Sequence, residues 1–274
     1  MPPVSRTAPL TALTIAGFDP SSGAGVTADL MVFAAHGLFG TSCITSLTIQ
    51  STLGVVDSFA IPASTVAATL NCLHADLPPA GIKIGMLATS QAVATVAEYL
   101  EHIRTEGFHG PVVLDPVIRS SSGRELLDAD GINLLCELLL PLVDWITPNL
   151  DELSLLTNLP VASRDEISQA ASTLQVMGRG LSVLATAGHL NPPDDYLLTA
   201  NSEAHWLPGT HIESTSTHGT GCALSSALLS RLVAGDLPHA ACTTAKAYVA
   251  EAIQSASSIG HGRGPLNHLW PISL

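Results

Sequence analysis

The chain has very few positive charges. Its 274 residues include ten Lys or Arg against 23 Asp or Glu, which gives a formal net charge of −13. Lys83 and Lys246 are its two lysines. Nucleic-acid backbones are bound by basic surfaces, so this composition argues against a nucleic-acid-binding protein. We expect any bound anion to be held by backbone N–H groups, a metal ion or a few arginines.

Aromatic residues and long apolar runs are also scarce. Aromatics make up 4% of the chain and hydrophobic residues 46%, which favours close packing of helices on a sheet. The most apolar run, residues 132–146, is interrupted by Glu137, Pro141 and Asp144, so it is too short to span a bilayer. The N-terminal residues lack the apolar segment of a signal peptide. We expect no membrane association.

The cysteines do not form a recognisable pattern. There are five, an odd number, widely spaced and without a CxxC pair. This spacing argues against a disulfide framework and against a zinc site. It suits a reducing compartment, and we expect a cytoplasmic protein.

Apolar runs alternate with segments of helical periodicity along the chain. Runs such as residues 12–17 and 111–117 are continuous, which is typical of strands buried on both faces. We predict an α/β fold with a mostly parallel central sheet and helices on both faces. It forms one domain over residues 1–274, with residues 1–11 as a flexible N-terminal tail. Residues 41–49 and 56–62 predict a hairpin or an edge flap, and residues 195–209 a second hairpin.

A glycine motif precedes the last two predicted helices. The polar run 214–217 leads into His218-Gly219-Thr220-Gly221, and Cys222 opens an apolar helical segment. Backbone N–H groups at such a helix N-terminus can bind an anion. The same field lowers the pKa of a thiol in the first turn. The alternative is a glycine N-cap followed by a small buried cysteine.

Three further acidic residues are candidates for a functional site: Asp115, Glu152 and Asp29. The last two each have two interpretations. Asp115 closes an apolar run, and open α/β sheets place their ligand sites at the carboxyl ends of strands. Asn149 and Glu152 share one side of a first helical turn, which suits capping alone or a hydrated Mg²⁺. Asp29 lies in an apolar helical segment. Its carboxylate either sits at the solvent edge or points at a ligand above the preceding loop.

Several segments together resemble one enzyme family. They resemble the hydroxymethylpyrimidine/phosphomethylpyrimidine kinases of thiamine synthesis, within the ribokinase-like superfamily, over about residues 13–268. The segments are LTIAGFDPSSGAGVTADL, KIGML, VVLDPV, ITPNLDE, AGHL, THGTGCALSSAL, AKAYVAEAI and GHGRGP. The resemblance implies a ribokinase-like domain that uses ATP and Mg²⁺ to phosphorylate hydroxymethylpyrimidine and its monophosphate. It also suggests a homodimer.

The resemblance implies roles for residues on the substrate side. Gly17 and the loop to Gly25 would hold the pyrimidine, while Asp29 and Gln50 would hydrogen-bond the ring and its amino group. Met86 would pack against the ring, a role that suits its adaptable side chain. Cys222 would stand beside the hydroxymethyl group as a base or positioning group. Most sugar kinases of the superfamily have Asp at that position.

The resemblance also implies roles on the nucleotide side. Asn149 and Glu152 would organise Mg²⁺ and the ATP phosphates. The anion hole for the transferred phosphoryl group would be formed by the glycine motif, namely Gly219, Thr220 and Gly221. Further nucleotide contacts would come from Asp115, Thr186 and Thr217.

Two lysines usual in this family are missing. Thr186 stands where the family has the lysine of a KGGHL segment. Residues 118–126 form a candidate lid, and its segment 118–123 is without the usual lysine. One such charge at a transition state is often worth ~3 kcal/mol. Arg119 or Arg124 are candidate replacements in the lid, although arginine and lysine are not interchangeable.

Two other functions are compatible with these residues. A pyridoxal/pyridoxine kinase shares the cysteine form of the glycine motif and acts on a similar heteroaromatic ring, although Gln50 and Met86 favour a pyrimidine. A non-catalytic pyrimidine-binding homologue would keep Asp29 and Gln50 and would have lost turnover with the missing lysine.

Overall fold

Nine strands form one sheet in the computed structural model, which describes residues 8–120, 123–188 and 190–272. The strands are β1 Thr11–Phe18, β2 Phe39–Ser51, β3 Gly54–Ala60, β4 Gly81–Ile84, β5 Val112–Leu114, β6 Trp145–Ile146, β7 Ser182–Ala185, β8 Asp195–Leu198 and β9 Ala204–Leu207. The helices are α1 Gly25–Ala35, α2 Ala63–Asp76, α3 Ser90–Thr105, α4 Ala129–Leu134, α5 Leu150–Thr157, α6 Arg164–Met177, α7 Thr220–Val233 and α8 Pro238–Gln254.

The sheet is parallel in its centre and antiparallel at both edges. Its order is β3-β2-β1-β4-β5-β6-β7-β8-β9, and the six strands from β2 to β7 in that order run parallel. At one edge β3 folds back on β2 as a flap, and at the other β8 and β9 form a hairpin. The predicted mostly parallel sheet, flap and second hairpin are confirmed.

Helices cover both faces because strand side chains alternate between them. Leu13, Ile82 and Leu114 pack under the layer that contains α2, α3, α5 and α6. Ala12 and Val113 pack on the opposite side with α1, α7 and α8. Lys83, between Ile82 and Ile84, therefore faces the α1 and α7 side. The predicted helices on both faces are confirmed.

Some boundaries differ from the sequence predictions. Helix α3 is capped by Thr89, whose hydroxyl accepts from the N–H of Ala92, and not by Ser90. Helix α4 continues through a π-helical turn, Leu135–Leu139, and a 3-10 turn, Leu140–Leu142. Thr11 already pairs with Phe39 in the sheet, so the predicted tail is too long by at least that residue. Residues 1–7 of it lie outside the described part of the chain.

Within the described ranges, no helix is both long and apolar enough to cross a membrane.

Candidate active site

The loop between β1 and α1 closes directly on the N-terminus of α7. Gly219 is the N-cap of α7 and has a φ of +87°. A Cβ atom there would lie 1.8 Å from the carbonyl oxygen of Gly23. A Cβ at Gly25, with a φ of +61°, would lie 2.2 Å from the carbonyl oxygen of Gly17. Glycine is required at both positions, by the left-handed backbone and by the close approach.

Asp19 and His218 tie the two sides of this junction together. The Nε2 atom of His218 lies 2.7 Å from Asp19 Oδ2 and 3.0 Å from the amide nitrogen of Gln50 on the flap. Asp19 also accepts hydrogen bonds from the backbone and hydroxyl of Ser21. Burial alone would raise the pKa of Asp19, but hydrogen bonds from His218 and Ser21 lower it below its ordinary value. Sequence reasoning missed this pair, although both residues lie in the quoted motifs.

Met86 and Gly17 lie together on the floor of the same junction. Met86 follows β4 and is 9% exposed, and a Cβ at Gly17 would lie 3.0 Å from its sulfur. Gln50, in β2, reaches the junction through His218. The structure thus brings together three of the four residues predicted on the substrate side.

Asp29, the fourth, lies beneath the junction and not on its surface. Its carboxylate is fully buried and accepts from Thr14 at 2.6 Å, Ser226 at 2.8 Å and the ammonium of Lys83 at 3.0 Å. With no exposed atom and three donors, it cannot hydrogen-bond a ring in this conformation. Neither of the two positions expected from the sequence, the solvent edge or the ligand surface, is the one observed.

Cys222 is half-buried in the first turn of α7. Burial raises the pKa of its thiol to about 12; the carboxylates of Asp115 and Asp29 add to this, while Lys83 opposes it. The expectation that the helix field would lower this pKa was wrong, because desolvation and two nearby negative charges outweigh a partial charge. Cys222 is therefore a neutral thiol, suited to positioning more than to acting as a base.

Asp115 and Glu152 form a second acidic pair at the ends of β5 and β6. Asp115 accepts from the hydroxyl of Ser225 at 3.3 Å. Burial raises its pKa, Asp29 adds to the effect and Lys83 opposes it. Burial and the Asp115 carboxylate raise the pKa of Glu152 to about 8. Among the described residues, no cation lies within ion-pair distance of either carboxyl group.

Asn149 and Glu152 also form a capping box at the start of α5. Asn149 Oδ1 accepts from the N–H of Glu152 at 2.9 Å, and Glu152 Oε2 accepts from the N–H of Asn149 at 2.9 Å. The capping interpretation is thus confirmed. This bond uses one of the two acceptor sites of the Asn149 amide oxygen, and the predicted role of Asn149 in organising Mg²⁺ stays a prediction.

The remaining predicted nucleotide residues lie along the same edge of the sheet. Thr186 is half-buried after β7 and donates its N–H to the carbonyl of Pro148 at 2.8 Å. Thr217 and Thr220 are half-buried on either side of the N-cap of α7. His189, in the segment that replaces KGGHL, lies outside the described residues.

The two arginines of the candidate lid are engaged elsewhere. Arg124 donates to Asp57 Oδ1 at 2.8 Å and to the carbonyl of Val56, both on the flap. Arg119 lies 3.7 Å from Glu125 Oε1. In this conformation the lid is therefore joined to the flap, and neither guanidinium replaces the missing lysine. Residues 121–122 of the lid lie outside the described part.

Known proteins match this architecture along nearly the whole chain. The sequence profile of the phosphomethylpyrimidine kinase family matches residues 19–267. The chain belongs to the phosphomethylpyrimidine kinase family. A hydroxymethylpyrimidine/phosphomethylpyrimidine kinase of Haemophilus influenzae is 40% identical over 266 residues, covering 95% of this chain and 97% of that protein.

Solved structures extend this family assignment to the fold. A phosphomethylpyrimidine kinase of Clostridium difficile superposes with a TM-score of 0.77 at 32% identity, covering 89% of this chain and 99% of the other. A pyridoxal kinase of Bacillus subtilis in complex with ADP superposes with a TM-score of 0.85 at 28% identity, covering 95% and 98%. The expected ribokinase-like fold is confirmed.

Proposed function

We propose that this member of the phosphomethylpyrimidine kinase family transfers the γ-phosphoryl group of ATP to hydroxymethylpyrimidine and to its monophosphate in thiamine biosynthesis. The observation that carries this is the closure of the glycine loop after β1 on the glycine-capped N-terminus of α7. It sets an apolar floor, Gly17 and Met86, beside backbone donors that can take phosphate. Phosphoryl transfer depends mainly on such positioning and charge stabilisation.

On the substrate side, Gln50 and Met86 would contact the ring while Gly17 leaves space for it. Asp29 would act from below through Lys83. The Cys222 thiol would position the substrate hydroxyl, and the N–H groups of the α7 turn, at Gly219, Thr220 and Gly221, would face the developing charge. Backbone donors suit a chain with so few lysines.

On the nucleotide side, the buried carboxylate of Glu152 fits a hydrated Mg²⁺. Among the described residues no Lys, Arg or His lies within ion-pair distance of it, although its pKa shows that it needs a positive charge to ionise easily. Mg²⁺ typically takes one or two carboxylates together with waters and substrate phosphates. A bound Mg²⁺ would neutralise phosphate charge, Asn149 would orient Glu152, and Asp115, Thr186 and Thr217 would border the nucleotide.

We also propose that residues 1–274 act as one cytoplasmic domain that forms a homodimer. The flap exposes apolar side chains that a second copy could cover: Leu47 is 44% exposed, Ile49 52% and Phe59 55%. Light scattering after size exclusion gives the mass directly. A monomer at micromolar concentration would refute the dimer.

The decisive experiment is an ATP-consumption assay with Mg²⁺ on hydroxymethylpyrimidine, its monophosphate and pyridoxal. Turnover on the first two supports the proposal. Turnover on pyridoxal alone favours the second candidate, a pyridoxal kinase, which the TM-score of 0.85 to such an enzyme makes worth testing. Ligand binding without ATP consumption indicates a non-catalytic homologue.

Cys222→Ala tests the placement of the phosphoryl acceptor. We expect turnover to fall about tenfold or more while the melting temperature changes little, because a well-placed positioning group contributes to the transition state. Cys72→Ala, at an exposed cysteine, is the matched control. Wild-type turnover in Cys222→Ala would show that the thiol does not take part.

A further inference from the structure

A fully buried lysine lies directly under the candidate active-site cleft, which is the junction between the β1–α1 loop and the N-terminus of α7 together with the adjoining ends of β5 and β6. Lys83 has no exposed surface, and a buried ammonium is costly unless it is paired. Its Nζ lies 3.0 Å from Asp29 Oδ2, the single hydrogen bond found for it among the described residues. A Cβ at Gly85 would lie 2.7 Å from Nζ. The ammonium thus occupies the space that a side chain at Gly85 would need, next to Met86 on the cleft floor.

Three acidic groups act on this lysine, namely Asp29, Asp115 and Cys222. Cys222 belongs to α7, and serines of the same helix bind the two aspartates. Cys222, Ser225 and Ser226 are three and four residues apart, so they share a helix face. Ser226 donates to Asp29 at 2.8 Å, and Ser225 donates to Asp115 at 3.3 Å.

The Lys83 ammonium and the acidic groups around it shift one another's pKa values. Burial alone would lower its pKa, but Asp29, Cys222 and Asp115 raise it above its ordinary value. In return, the charge of Lys83 opposes the rise in pKa of Cys222 and of Asp115.

The charged neighbours of Cys222 come from three elements. They are Lys83 in β4, Asp29 in α1 and Asp115 after β5. Beyond them, Asp115 acts to raise the pKa of Glu152 in α5, and Asp29 acts to raise that of His268. Within the described part of the chain, Lys83 is the one cation among the groups that act on Cys222.

We propose that Lys83 is a positioning residue whose buried ammonium fixes the Asp29 carboxylate and favours negative charge on the Cys222 thiol and the Asp115 carboxylate above it. It supplies positive charge from inside the protein, whereas the two lid arginines are paired with Glu125 and Asp57 in this conformation. Its importance for turnover rests on the proposed function, whereas its effect on Cys222 does not.

The test is the rate at which iodoacetamide alkylates Cys222, followed peptide by peptide by mass spectrometry between pH 7 and 9. In Lys83→Met the thiol loses its cation. A rise of about one unit in its pKa lowers the thiolate fraction tenfold, and the higher nucleophilicity of a more basic thiolate recovers about threefold of that. We therefore expect alkylation about threefold slower than in the wild type. Exposed Cys72 is an internal control whose rate should not change.

A second variant covers a possible folding defect. Lys83→Met leaves Asp29 buried without its cation, whereas Lys83→Met with Asp29→Asn removes both charges and leaves no uncompensated one. We expect slower alkylation of Cys222 in both, by less in the double variant, because Asp29 opposes the effect of Lys83 on the pKa of Cys222 and is removed with it. Lys246→Met is the matched control, because this lysine is also paired, 2.7 Å from Asp195, but does not act on Cys222.

The direction of the change separates an electrostatic role from a structural one. A loosened fold would expose Cys222 and speed its alkylation. Alkylation as fast as in the wild type, or faster, in both variants, each with a cooperative melting transition, would overturn the proposal. In the kinase assay we expect kcat of Lys83→Met to fall and that of Lys246→Met to stay unchanged. Slowed alkylation in a protein whose wild type shows no ATP-dependent turnover would leave the role of Lys83 intact and count against the kinase assignment.

Discussion

The two halves of the cleft differ in whether their acidic side chains have a cationic partner within the protein. On the side of the β1 loop and α7, Asp19 is paired with His218 and Asp29 with Lys83. On the side of β5 and β6, no cation among the described residues lies within ion-pair distance of Asp115 or Glu152. In the first half, the protein's own side chains supply the partners of both aspartates. The second half holds two carboxyl groups with raised pKa values, and a cation arriving with the nucleotide would favour their ionisation, which links ligand binding to the completion of the site.

Gly219→Ala is expected to have the largest effect, and it tests the half of the cleft formed by the β1 loop and α7. The new Cβ would clash with the carbonyl of Gly23, and the alanine would have to adopt a φ of +87°, so the N–H groups of the α7 turn would be displaced. Losing such a donor costs about 100-fold in kcat, and we expect at least that in the kinase assay.

Gly235→Ala is the matched control for that variant. Gly235 follows the same helix with a φ of +91°, and a Cβ added there would meet no atom within 4 Å. The variant should lose about 1 kcal/mol of stability from backbone strain and keep its kcat. Equal activity loss in both would mean that strain, and not the junction, is responsible.

Glu152→Gln tests the half of the cleft at the ends of β5 and β6, where we propose that Mg²⁺ binds. Glutamine can still complete the capping box, so the fold should hold while the negative charge is lost. We expect the Mg²⁺ concentration for half-maximal rate to rise about tenfold, a typical cost of altering a metal site. Glu166→Gln changes the same position of the capping box of α6 and should leave the Mg²⁺ requirement unchanged. If both variants behave alike, the difference between the halves is not functional.

The same variant predicts a pH dependence of stability without ligands. The pKa of Glu152 is raised from 4.5 to about 8, so the folded state binds the proton more tightly than the unfolded state. The resulting stabilisation is complete below about pH 4.5 and is lost as pH rises through about 8. Relative to the wild type, Glu152→Gln should gain a few kcal/mol between pH 5 and 8 in denaturant unfolding. A difference that stays constant over this range would contradict the shifted pKa.

The smallest effect is expected at the exposed pair between lid and flap. Arg124 and Asp57 are 39% and 47% exposed, and such pairs contribute about 0.2–1 kcal/mol. A double-mutant cycle of Arg124→Ala and Asp57→Ala should give a coupling in that range in thermal unfolding. A coupling of several kcal/mol would show that pairing at the surface matters as much as the buried pairing of Asp29 with Lys83.

Local features were predictable because they depend on neighbouring residues. Continuous apolar runs predicted buried parallel strands, and polar-to-apolar spacing predicted the helices. The spacing of Asn149 and Glu152 suited capping, and the two residues form a capping box whose hydrogen bonds join residues three apart. The glycines of the 217–221 segment predicted a helix N-terminus open to an anion. These outcomes follow from backbone sterics and short-range hydrogen bonds, which the sequence by itself determines.

Tertiary structure alone decided the electrostatics of the site. Asp29 meets Lys83 across 54 positions and His218 meets Asp19 across 199, and no local pattern marks these partners, although a lysine inside the apolar run GIKIG signals a buried partner. The pKa of Cys222 was expected to be lowered by the helix field and is raised to about 12. Its sign depends on desolvation and on charges brought close by packing, and both exist only once the chain has folded.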